Sequence, residues 1–296
     1  LISTSVGSTF ILFLILFGLN RAFWGIPLDF SQHLNESSQP EFILAAKIMQ
    51  MVSQLSMFII PALIYFWLIK PSITSELGYR NRVNLKSLGT IVLVTLLAIP
   101  FINLLAQWNM NWHLPEALAE VENWMRQTQL ANDNLINLLA KMETNSEIII
   151  NVLMMAILPA VGEELIFRGA LQPQIIKMVK NPHVGIILTA ILFSAFHLQF
   201  LGFFSRAILG ALFGYFYYYS KNITLPILAH FLNNFLALVM VFVYGSEMED
   251  TSFQDPYEIT LVASTLFAFA LGIGLLMFNR NKLATYSKAS PVELMD

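Results

Sequence analysis

Eight stretches of this chain are apolar over nearly enough residues to cross a lipid bilayer. A helical crossing needs about 20 mostly apolar residues. The stretches 3–20, 43–69, 87–107, 147–168, 184–200, 203–220, 224–245 and 259–279 meet or approach that length. The expected fold is all-α, a polytopic membrane helical bundle of about eight transmembrane helices. It forms a single integral membrane domain over 1–296, with its chemistry-bearing core at 147–245. The fifth and sixth stretches are separated only by Phe200 to Gly202, so they form either one helical hairpin or a crossing with a re-entrant piece. Composition agrees, because only 12% of the residues are charged, about half the roughly 25% of a soluble domain. The chain has no cysteine, which excludes disulfides, thiol catalysis and cysteine-based zinc sites. A small, dispersed net charge of -3 gives no reason to expect a nucleic-acid partner.

The loops set an orientation. One group holds Lys70, Arg80, Arg82, Lys86, Lys177, Lys180, Lys221, Arg280, Lys282 and Lys288; the other holds only Arg21, Lys47, Arg126, Lys141 and Arg206. Basic residues favour the cytoplasmic side, so the first group is expected inside, with both termini cytoplasmic. The compact loops suggest a bacterial inner (plasma) membrane. The longest connection, about 108 to 146, contains Leu114-Pro115-Glu116, a good helix opening with Pro at an early position. Leu118, Val121, Trp124 and Met125 then recur at helical spacing. They predict an amphipathic helix in the outer loop, either lying on the surface or packed on the bundle as a small cap.

Ionisable groups inside a bilayer are costly and point to function. In Ala160-Val161-Gly162-Glu163-Glu164-Leu165-Ile166-Phe167-Arg168-Gly169, Glu164 lies one helical turn before Arg168, the favourable order for an ion pair. Such a pair can simply fix helix packing. Glu163 points about 100° away, because successive helical residues turn by that angle. It therefore needs another partner: a proton, a histidine, a metal or a water. His197 lies late in the fifth stretch, after Phe193, where a lone histidine is as easily a satisfied core residue. His230 and Asn234 share one face of the seventh stretch, and Asn233 can stand in for Asn234. An imidazole and an amide on one face can bind a metal, orient a water, stabilise an oxyanion or join two helices by hydrogen bonds. Two histidines and a carboxylate also match a catalytic zinc set with an open position for water. Glu163, His197 and His230 are thus candidate zinc ligands, and zinc a candidate cofactor. Read from depth, His230 and Glu163 each lie within about 9 Å of the basic end of their spans, while His197 lies about 20 Å from its own.

These residues resemble the CPBP family, the CAAX-type proteases and bacteriocin-processing enzymes related to Ras-converting endopeptidase. That family shows Glu-Glu-x-x-x-Arg, then Phe-x-x-x-His, then His-x-x-x-Asn. Here they read Glu163 to Arg168, Phe193 to His197, and His230 to Asn234, in order and each in an apolar stretch. The resemblance implies an α-helical bundle with a site open toward the cytosol. It implies that Glu163 and His197 activate a water while His230 and Asn234 stabilise the oxyanion, with Glu164, Arg168, Phe193 and Asn233 in support. It also implies a membrane-embedded or lipidated peptide as substrate, with or without a metal. Other intramembrane proteases fit less well. No Asp lies in a span, and neither His-Glu-x-x-His nor Gly-x-Ser-Gly occurs. Two readings of other classes stand beside the protease: a proton-coupled transporter relaying through Glu and His, and a non-catalytic scaffold or bacteriocin-immunity protein. No protein partner is legible.

Overall fold

The structure, a computed structural model, describes residues 40–69, 85–142 and 144–244, with the isolated positions 83, 264–266 and 272. The expected first span at 3–20, most of the basic loop at 70–86, most of the eighth span at 259–279 and the tail from 280 lie outside the described residues. Within them the chain is an all-α polytopic bundle, as expected. Five helices are long and apolar enough to cross a membrane. The expected fifth span is too short to be one of them, since its helix is Pro182–Phe196.

We number the helices in chain order. Helix α1 runs through Pro40–Gln54, a π-helical turn at Leu55–Ile59 and Ile60–Ile69. Helix α2 is Leu85–Met110, and α3, in the long connection, is Ala119–Ala140. Helix α4 is the 35-residue rod Asn145–Val179. Helices α5, α6 and α7 are Pro182–Phe196, Phe203–Ser220 and Thr224–Tyr244.

The expected end of the fourth span near Gly169 is not where the helix stops. Gly169 and Pro173 look like terminators, yet α4 continues to Val179. Two π-helical turns, Val152–Ile157 and Leu165–Leu171, sit just before Pro159 and Pro173. A π turn carries one extra residue. It leaves a carbonyl free where proline has no N–H to offer, so each proline is absorbed without a break. Lys180, in the left-handed conformation, ends the rod. Asn181 then caps α5, its side chain accepting from His183 N–H and Val184 N–H, with Pro182 at the first helical position.

Helices α5 and α6 form the hairpin that the sequence allowed. His183 Nδ1 lies 3.0 Å from Tyr215 Oη near one end, and Ser194 Oγ donates to the Phe203 carbonyl at 2.6 Å near the other. At that second end Phe204 N–H donates to Asn109 Oδ1, which brings the C-terminal end of α2 alongside. Helix α3 meets the same end through Trp124 against Phe200, ring centroids 5.4 Å apart. Both readings of α3 hold for part of its length. Leu118, Val121 and Trp124 face outward, whereas Leu138, Leu139 and Ala140 are buried against the bundle.

Candidate active site

Glu163 and Glu164 lie on α4 between its two π turns. Glu164 Oε1 accepts from Arg168 Nη1 at 2.9 Å and faces His230 Nδ1 at 3.0 Å. Because a carboxylate accepts, His230 donates from Nδ1, which turns its Nε2 toward Glu163. Arg168 has no exposed surface. Its Nη2 donates to the Gly210 carbonyl at 2.7 Å, and its guanidinium lies over the rings of Phe193 and Phe213, 4.7 and 5.7 Å from their centroids. One turn on, Gln172 Nε2 donates to the Gly214 carbonyl at 3.0 Å. Gly210 and Gly214 let α6 come this close. A Cβ at Gly210 would stand 3.0 Å from Phe193, and one at Gly214 would stand 2.7 Å from Gln172 Oε1. The Glu164–Arg168 pair is therefore the packing device that its spacing predicts, and it also orients His230.

Glu163 faces the other way. Its Oε2 is buried, has no hydrogen-bond partner in the protein, and lies 3.7 Å from His197 Nε2 and 4.0 Å from His230 Nε2. His197 sits just behind the last turn of α5, with Leu198 in the left-handed region at φ 53 immediately after it. His197 Nδ1 donates to the Phe193 carbonyl at 2.8 Å, so its Nε2 also points at Glu163 with a free lone pair. Phe193 packs edge-on against both imidazoles, with centroids 5.0 Å from His197 and 5.9 Å from His230. Phe213 stacks on His230 at 5.1 Å. Asn233 Nδ2 donates to Asn234 Oδ1 at 3.2 Å, which leaves the Asn234 amino group free to donate.

Glu163, His197, His230, Asn233 and Asn234 all line one cavity of about 500 Å³. The expected site residues are brought together from three helices and one turn. Glu164 and Arg168 stay behind them in the packed wall, and Phe193 joins wall to cavity. The longer α4 also removes the depth mismatch of His197. Measured from the α4–α5 turn, Glu163 is about 24 Å up α4 and His197 about 22 Å up α5, so both stand at one level. The site is not close to that turn, as the shorter span implied.

Several polar cavity residues carry no signal in the sequence. Gln54, Gln199 and Arg206 come from three separate segments. Arg206 Nη1 donates to Gln199 Oε1 at 2.7 Å, and Nη2 donates to the Gln199 carbonyl. Only the folded hairpin brings them beside Glu163. Arg206 counts in the sequence as an outer-loop cation, whereas it lies inside α6 and reaches the cavity.

Glu163, His197 and His230 are the residues that would hold a zinc ion. Two donors at about 2.0–2.1 Å from a tetrahedral zinc stand about 3.3 Å apart, less than the 3.7 and 4.0 Å found around Glu163 Oε2. Among the described residues no group of three or more His, Cys, Asp or Glu is placed to hold a metal ion.

The bundle and this cavity define a polytopic integral membrane protein with paired carboxylates and two histidines buried in its helices. Residues 145–236 match the family described as Type II CAAX prenyl endopeptidase Rce1-like. That segment contains all three motifs, so the match bears out the resemblance over this part of the chain. No curated protein and no solved structure matches the chain.

Proposed function

We propose that the protein hydrolyses a peptide bond of a membrane-associated or lipidated substrate, with Glu163 as general base. The observation that carries this reading is the Glu163 Oε2 atom, buried, unbonded within the protein and facing two imidazole nitrogens across 3.7 and 4.0 Å. Those gaps are too long for direct hydrogen bonds, and the 3.7 Å gap suits a water that donates to both Glu163 and His197. Glu163 takes one proton from this water as its oxygen attacks the scissile carbonyl carbon. The carbonyl oxygen, now negative, receives hydrogen bonds from the Asn234 amino group and, in the doubly protonated form of the ring, from His230 Nε2. Glu163 then returns the proton to the departing nitrogen, the C–N bond breaks, and an acid and an amine leave. No step requires a metal.

The cavity suits an apolar peptide segment. Leu135, Leu139, Met154, Met155 and Leu238 line it around the polar cluster. A proton-coupled transporter would need a water path past the site. Arg168 and Gln172, buried against the backbone of α6, close that direction instead.

The test compares membrane and C-terminal peptide profiles of cells producing the wild type or Glu163→Gln, which keeps the shape and removes the base. Specific peptides are expected to remain uncut in the variant alone, with turnover lowered by about 10²–10⁴ for loss of a general base. Matching profiles with an intact wild-type phenotype would move the scaffold and transporter readings ahead. Zinc assay of an active preparation separates a metal-dependent enzyme from the protein-only chemistry.

A further inference from the structure

We infer that Arg206 forms a carboxylate-binding subsite in the cavity, selecting substrates with an acidic side chain or a free chain terminus a few residues from the scissile bond. The scissile bond rests on the protease reading; the subsite itself rests on geometry. Arg206 stands in the first turn of α6, the end of a helix that favours anions over cations. It reaches back over the α5–α6 turn, where Nη1 donates to Gln199 Oε1 at 2.7 Å and Nη2 donates to the Gln199 carbonyl. Both acceptors are neutral, so they fix the guanidinium without cancelling its charge. Gly202 makes room for this pose, because a Cβ there would stand 2.7 Å from Nη2 and 2.9 Å from Cζ. Each Nη keeps a second hydrogen for an incoming ligand. Gln199 also lines the cavity. Its Oε1 is turned to Arg206, which leaves its amino group as a further donor.

The other two described arginines each contact a carboxylate, Arg168 with Glu164 at 2.9 Å and Arg126 with Glu122 at 2.8 Å. Arg206 has no such contact among the described residues; its hydrogen bonds go to Gln199. Its Nε is buried and donates to no described residue. Asp133 acts on it from a distance and is itself held by Gln129 Nε2 at 2.8 Å. A charge inside a membrane bundle is costly unless paired and points to function, and a planar guanidinium fork matches a carboxylate. The charge of Arg206 also reaches His197, so the subsite lies on the His197 side of Glu163. The cavity measures about 500 Å³, within the usual range of a pocket for a small ligand. A carboxylate seated on Arg206 therefore lies only a few residues from a peptide bond seated at Glu163.

The test is peptide binding by the purified full chain carrying Glu163→Gln, which keeps the cavity and is expected not to cleave. The probes are short peptides of leucine and alanine, each labelled on its amino end with a neutral dye. One has a free C-terminal carboxylate, one is amidated, and one is amidated with a single internal glutamate. Fluorescence anisotropy in detergent should show a carboxylate peptide binding about tenfold or more tighter than the neutral amide, as a hydrogen bond to a charged group allows. Which of the two carboxylate peptides binds tighter tells a chain terminus from a side chain. Arg206→Gln on the same background should erase the preference and leave binding of the amide unchanged. Arg206→Lys, which keeps the charge without the planar fork, should weaken the preference, and it carries the test if Arg206→Gln does not fold. Equal binding of all three peptides overturns the inference. So does binding of none, or a preference that neither substitution reduces. Carboxylate-selective binding with no cleavage of the preferred peptide by the wild type would keep the subsite and remove the protease.

Discussion

Glu163 and Glu164 are neighbours in the chain, yet they belong to different regions of the molecule. Glu164 closes the sealed wall, with Arg168 at 2.9 Å, His230 at 3.0 Å and no exposed surface. Glu163 opens into the cavity and touches no protein donor with Oε2. One step of 100° along a helix separates a charge that holds helices together from one free to do chemistry. The wall is rigid because each polar group in it is tied to another helix, Arg168 to Gly210 and Gln172 to Gly214. The cavity groups are oriented from behind, His197 by the Phe193 carbonyl and His230 by Glu164, so that their Nε2 atoms face Glu163, as the proposed chemistry requires.

If the two regions divide the work in this way, substitutions should sort by region. Arg168→Ala strands Glu164 as a buried, half-compensated charge. Removing one partner of a buried pair costs about 3–5 kcal/mol, so unfolding of the purified protein in detergent should shift strongly. Glu163→Gln should leave the same unfolding curve almost unmoved. Equal shifts in both would break the comparison, because Glu163 would then also be structural.

A smaller test sharpens it inside the wall. Gly214→Ala puts a methyl 2.7 Å from Gln172 Oε1 and 2.9 Å from Ile186 Cγ2. Gln172 is held by its bond to the Gly214 carbonyl, so it cannot swing away without losing that bond. Overpacking of this kind costs about 1–3 kcal/mol. The expected readout is a lower unfolding midpoint in detergent, with cleavage retained at temperatures where the variant is folded. Loss of cleavage without loss of stability would show that the α4–α6 spacing tunes the site itself.

The contrast between the carboxylates was half legible in the sequence. The i to i+4 spacing of Glu164 and Arg168 gives the pair directly, and the turn of 100° sends Glu163 elsewhere. The ordered motifs name His197, His230, Asn233 and Asn234, and the structure does gather them in one cavity. What they do not give is the level of the site. The fourth apolar stretch reads as ending at 168, because a propensity rule has no way to see a π turn absorbing the proline beyond it. The helix runs on to Val179, and that extra length separates the site from the basic turn. Arg206 and Gln199 were illegible for another reason. Their bond spans one turn of chain, but their place in the cavity depends on the whole α5–α6 hairpin.

The mildest effect belongs to the cavity end, where α3 is clamped to the chain before it. Glu122 Oε2 accepts from Leu114 N–H at 2.7 Å, and its Oε1 accepts from Arg126 Nε at 2.8 Å and lies 2.8 Å from His113 Nδ1. Arg126 also donates to the Met110 and Trp112 carbonyls at 3.2 and 2.6 Å. The Leu114 backbone bond, then Arg126 and His113, pull the Glu122 carboxyl down to about 2 from an ordinary value of 4.5. A carboxyl held more acidic in the folded state stabilises that state wherever it is ionised in both, above about pH 4.5, and the contribution fades as pH falls toward about 2. Amide exchange across 114–126 should therefore quicken as pH drops below about 4.5, beyond the intrinsic pH trend of exchange, and Glu122→Gln should show the loosened rate already at neutral pH. The side chain is only 14% exposed, yet it lies at a polar rim, so the change should stay confined to α3 and its linker. If acidification instead loosened α4 and α6 at the same pH, the two regions would be coupled, and the cavity end would lose its standing as a separately held cap on a sealed bundle.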